Sequence, residues 1–203
     1  MLGFLNSSMS NAVQRYLSFE IGKKNDDGVN RVFNVSLLAH TGIAIFVLVA
    51  AEIVGVWYLN TYMNIPFERM DAANWVLQCS IFTTLFSIVQ VPYNAIIISK
   101  ERMGIYAYIS ILEVVLKLLV VYMLSIGNFD KLKLYSVLIM MVSICIMMIY
   151  MFYCAKKYKE AKFRLIKDRC LLRQIIGFAS WNMLGELAWV FTCLLYTSDA
   201  ADD

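Results

Sequence analysis

Long, uninterrupted apolar runs constrain this chain more than any other feature. Residues 32–59, 73–99, 106–126, 134–154 and 175–192 are each dominated by apolar side chains. A hydrocarbon core about 30 Å thick, at about 1.5 Å of rise per helical residue, takes roughly twenty such residues to cross. Inside lipid the backbone N–H and C=O groups find no water, so only helices and closed barrels satisfy them. Barrel strands take about 9–11 residues, and these runs are far longer. The expected fold is therefore all-α, a polytopic transmembrane helical bundle. Residues 2–19 form a weaker sixth segment, because polar side chains interrupt it. Composition points the same way: 61% of the chain is apolar, against about 45–50% in a soluble domain.

Charge placement supports this map. With the connecting segments alternating between two sides, Arg15, Lys23, Lys24, Arg31, Lys100, Arg102 and the basic residues of 155–174 fall together. Only Arg69, Lys131 and Lys133 fall opposite, and Lys117 alone lies inside a span. Short cytoplasmic loops are rich in Lys and Arg, so residues 20–31, 100–102 and 155–174 are expected in the cytoplasm. Residues 155–174 read as a solvated basic loop facing lipid headgroups, and no nucleic-acid partner is expected. Trp57, Tyr58, Tyr62 and Trp75 cluster near the opposite boundary as an interfacial aromatic belt. The first residues lack the basic start and compact apolar stretch of a signal peptide.

Several chemistries find little support. The five cysteines form no CxxC pair and mostly sit in apolar runs, which favours inert burial over a disulfide framework or zinc site. No GxSxG, HExxH or glycine-rich phosphate loop occurs. With one histidine, no catalytic residue, metal site or cofactor is expected, and the chain does not read as an enzyme.

The polar residues inside the spans are the informative ones. Ser80, Thr83, Ser87, Gln90 and Asn94 recur at steps of three and four, one stripe down a helix. Ser7, Asn11, Gln14 and Ser18 do the same, as do Tyr106, Ser110, Glu113 and Lys117; Asn34, Thr41 and Glu52 share a face less regularly. A charge at mid-membrane costs about 2.5–3.5 kcal/mol, so such residues face a bundle interior or a watery cavity. Glu113 four residues before Lys117 is the favourable order for a helical ion pair. The pair either neutralises itself and ties helices together, or Glu113 orients Lys117 toward a hydrated cavity and an anionic substrate group. Residues 134–154, nearly all apolar, suit a helix more exposed to lipid. Pro92 would kink its helix or mark a break. His40 reads as a satisfied interhelical hydrogen bond before a proton relay, and Glu52 as a site for a coupling cation.

The runs LGFLNSSMSNAVQRYLSFEIGK, ERMDAANWVLQCSIF, VPYNAIIISKERMGIYAYISILEVVLKLLVVYML and FASWNMLGELA resemble the oligosaccharide flippases of polysaccharide and lipopolysaccharide biosynthesis. That family shares an exporter superfamily with the multidrug and toxin extrusion (MATE) transporters. The resemblance implies a two-lobed transporter with a V-shaped central cavity, which moves an undecaprenyl-diphosphate-linked oligosaccharide across the bacterial inner membrane. Its partners would be that anionic pyrophosphate lipid, membrane lipids and polysaccharide-assembly proteins. On this resemblance residues 1–154 are an incomplete N-terminal lobe, its first helix missing, and 175–192 the truncated first helix of the second. Such a fragment is not expected to transport alone. Lys117 fits the cationic cavity role, with Glu113, Gln90, Asn94 and Ser87 beside it and Arg15 at the cytoplasmic mouth. A cation-coupled small-molecule exporter of the same fold, using Glu52 and Glu113, is the alternative. A membrane-embedded glycan enzyme and a purely structural membrane subunit fit less well. Residues 193–203, CLLYTSDAADD, resemble a translated sequencing adapter; the other reading is a genuine acidic tail.

Overall fold

In the computed structural model, residues 3–62, 66–126, 131–161, 164, 166 and 168–199 are described, and their regular structure is all helical. The helices are α1 (Gly3–Gly22), α2 (Asp26–Thr61), α3 (Phe67–Ser99), α4 (Met103–Ile126), α5 (Lys131–Lys157) and α6 (Arg169–Asp199). A short 3-10 turn, Lys159–Ala161, comes after α5. Among the described residues, α2 to α5 are long and apolar enough to cross a membrane.

Most helices begin before the apolar run that predicts them, and for α2 and α6 polar caps explain the extra turns. The side chain of Asn25 accepts the Gly28 N–H at 3.1 Å, so α2 starts at Asp26 rather than 32, with Asp26 and Asp27 in its positive first turn. Asp168 likewise accepts the N–H groups of Cys170 and Leu171, at 3.0 and 3.2 Å, and starts α6 at Arg169 rather than 175. α6 continues as helix to Asp199, past the expected end at 192; residues 200–203 lie outside the described residues. Lys24 (φ 54°) and Glu101 (φ 57°) take left-handed backbone to reverse the chain between α1 and α2 and between α3 and α4. α3 runs unbroken through Pro92.

These reversals bring Gly22, Asp26, Ser99, Met103, Lys157 and Arg169 to one end of the bundle, the basic end. There the described residues between 160 and 168 fold back onto α2 and α3. Arg31 meets Asp168 at 2.8 Å and Lys100 meets Glu160 at 3.1 Å. The Asn30 amide donates to the Glu160 carbonyl, and the Arg164 N–H donates to the buried side chain of Asn34 at 2.7 Å. The segment between α5 and α6 is thus shorter than the expected loop over 155–174. Helix continues to Lys157, and beyond it Glu160 and Asp168 tie the chain to the end of α3 and to α2. At the opposite end Tyr62 packs against both Trp57 and Tyr58, at 5.3 and 5.8 Å between ring centroids.

α3 is the hub, packing on α1, α2 and α5. Lipid tails are as apolar as a leucine side chain, so helices in a bilayer associate through close packing, favoured by small residues. Ala12, Ala95 and Ala179 are buried in α1, α3 and α6 accordingly. The expectation that residues 134–154 form the lipid-exposed helix is overturned. α5 buries Ser136, Val142, Ile146, Tyr150 and Cys154 and packs extensively on α3, whereas α4 touches only α3 and α5 among the described elements. Uniform apolarity hid which face of α5 is buried.

Candidate functional site

α1 divides its surface cleanly. Ser8, Ala12, Val13 and Leu17 are buried, while Ser7, Asn11, Arg15 and Ser18 stay exposed. These positions fall about a turn apart along opposite faces. The exposed side is sewn to its neighbours. The Asn6 amide donates to Ser87 Oγ on α3 at 3.1 Å, and the Ser7 hydroxyl donates to Glu186 Oε1 on α6 at 3.2 Å. The Arg15 guanidinium lies 4.4 Å from the Phe178 ring centre on α6. The Ser99 hydroxyl donates to the Gln14 carbonyl at 3.3 Å, and the Gln14 amide donates to Ser10 at 2.8 Å. Polar groups along α1 therefore join it to α3 through Asn6 and Gln14 and to α6 through Ser7 and Arg15.

Of the residues singled out in the sequence, Ser7, Gln14, Arg15 and Ser87 take part in these contacts. Gln90 and Asn94 are half-buried further along α3, and Asn94 Oδ1 is buried without a hydrogen-bond partner among the described residues. A polar atom so placed is costly unless something else satisfies it.

Glu113 and Lys117 lie elsewhere. Lys117 Nζ meets Glu113 Oε1 at 2.6 Å along α4, with 48% of the lysine side chain and 35% of the glutamate side chain exposed. Glu113, Ser110 and Tyr106 flank the buried Tyr150 of α5. α4 makes no contact with α1, α2 or α6 among the described residues and meets α3 and α5 instead, so Glu113 and Lys117 stand apart from the α1–α6 contacts.

The α2 stripe separates as well. Asn34 is buried and accepts the Arg164 N–H, Thr41 is exposed and donates to the Leu37 carbonyl of its own helix, and Glu52 accepts from the Gln78 amide on α3 at 3.0 Å. Their spacing drifts around the helix, so each meets a different neighbour. His40 is buried, but its Nδ1 lies 2.7 Å from the Ser36 carbonyl of the same helix and Nε2 has no partner among the described residues. The expected interhelical bond is therefore an intrahelical one. Since a carbonyl only accepts, Nδ1 carries the proton.

Sequence reasoning missed the roles of Asn6 and Glu186. A lone acid inside the run GFASWNMLGELAWVFT was the available signal for Glu186, because an acid in an apolar helix needs a partner.

No curated protein and no solved structure matches this chain. The MatE family model matches residues 1–123, which hold α1, α2, α3 and nearly all of α4. Together with four helices of membrane-crossing length and apolarity, this match makes the chain a multi-pass membrane protein that belongs to the MatE family of transporters.

Proposed function

We propose that this protein acts as a flippase of the bacterial inner membrane, moving undecaprenyl-diphosphate-linked oligosaccharide outward for surface-polysaccharide assembly. The observation that carries this reading is the run of polar groups along α1, where Asn6 bonds Ser87 of α3 and Ser7 bonds Glu186 of α6, with Arg15 about two turns further on against Phe178. Amides and hydroxyls match the hydroxyls of a sugar chain, and a guanidinium matches phosphate oxygens. Lys117 supplies a second cation. Its ammonium has three donors, of which Glu113 takes one, leaving donors for a diphosphate.

The test is made in cells lacking the chromosomal gene. Lys117→Ala reduces surface-glycan export about tenfold or more, the loss of a charged hydrogen bond, while Lys117→Arg retains part of it at equal expression. Normal export by Lys117→Ala removes Lys117 from the substrate path. A second reading, a cation-coupled exporter of small molecules, is favoured by Glu52, whose carboxylate is held by Gln78 at 3.0 Å inside the bundle. Transport that ignores both proton and sodium gradients, and survives Glu52→Gln, rejects that coupling.

A further inference from the structure

A groove of ≈ 850 Å³ runs along α5, lined by Cys145, Met148, Ile149, Phe152, Lys156 and Lys157. Its floor is apolar and its basic-end rim carries two adjacent ammonium groups. We propose that it binds one anionic phospholipid, the acyl chain lying along α5 and the phosphate held by Lys156 and Lys157.

Length supports the acyl chain. From residue 145 to residue 157 the helix rises about 18 Å, close to the roughly 15 Å of hydrocarbon in one leaflet. Charge supports the headgroup. Elsewhere at the basic end, Arg31 and Lys100 are neutralised by Asp168 and Glu160. Lys156 and Lys157 have no carboxylate partner among the described residues, and the Lys156 ammonium sits over the Phe152 ring at 5.9 Å, at the boundary between floor and rim. The Tyr153 ring, on the same stretch, is braced edge-on against Tyr158 at 6.0 Å. A zwitterionic headgroup brings a cation of its own toward two lysines; an anionic one does not. Basic pockets beside transmembrane helices suit such headgroups.

The experiment is native mass spectrometry of the purified full chain in detergent, with phosphatidylglycerol and phosphatidylcholine as probes. Phosphatidylglycerol is retained roughly thirtyfold more strongly, at about a fivefold gain for each lysine near the headgroups. Lys156→Gln with Lys157→Gln brings retention down to the phosphatidylcholine level. Lys23→Gln with Lys24→Asn, which removes two charges at the same end but no groove, leaves the preference intact. Met148→Trp, at an exposed position, fills the floor and lowers retention with both lysines present. Equal retention of the two lipids, or equal losses from the two double variants, overturns the proposal. So does full displacement of phosphatidylglycerol by equimolar undecaprenyl diphosphate, which would make the groove an entry path for a prenyl diphosphate.

Discussion

α1 and α4 carry the same sequence pattern, polar residues recurring every three or four positions, yet the bundle uses them oppositely. α1 lies against α2, α3 and α6, and its polar groups reach across to Ser87 and Glu186. α4 lies on the outside, against α5 and the edge of α3, and its charged groups satisfy each other along one helix. A stripe says which face of a helix is polar. It does not say what that face meets: for α1 the partners lie 81 and 179 positions away, for α4 only 4.

The largest effect that tests this contrast comes from breaking the α4 pair. Lys117→Met leaves Glu113 unpaired in a membrane span, where a lone charge costs α4 insertion about 2.5–3.5 kcal/mol. Glu113→Gln combined with Lys117→Met removes that cost, as read by a translocon-insertion assay. Export then separates the roles: a pair that only neutralises itself is dispensable once both charges are gone, whereas a substrate contact is not. If the single and double variants insert equally well, the two charges do not compensate each other.

Solvent access gives the next test. In a background with all five cysteines replaced, a cysteine at position 7 or 11 of α1 reacts with a water-soluble thiol reagent about tenfold faster than one at position 114 of α4, because the reactive thiolate forms in water. Equal rates would erase the difference between a wetted α1 face and an outer α4 face.

The smallest effect concerns the α1–α6 stitch. A double-mutant cycle with Ser7→Ala and Glu186→Gln gives a coupling of about 0.6 kcal/mol, typical of interhelical hydrogen bonds in membranes, measured by unfolding in detergent. A coupling of zero means that the Ser7–Glu186 bond contributes nothing to holding α6 on α1.

Much of the fold was legible because it rests on local quantities. Run length marks α2 to α5, and Lys and Arg placement tracks the alternation of their ends. The helix starts were less legible: Asn25 and Asp168 act as caps, but their signals sit in polar segments where many residues could cap. The candidate site was half legible. Ser87 and Arg15 take part in the α1 contacts, while Gln90 and Asn94 sit partly buried further along α3, and Lys117 belongs to another region altogether.

What the sequence determined by itself is the helical class and the antiparallel order of its helices, since an apolar run of about twenty residues in lipid has few ways to satisfy its own backbone. What only the tertiary structure decided is the assignment of partners: Asn6 to Ser87, Asn34 to Arg164, Lys100 to Glu160, and α5 rather than α4 to the side of α3. Such pairings depend on how each helix is rotated against neighbours distant in the chain. That rotation is set by the close packing of small residues such as Ala12, Ala95 and Ala179, a property of surfaces meeting rather than of any one segment.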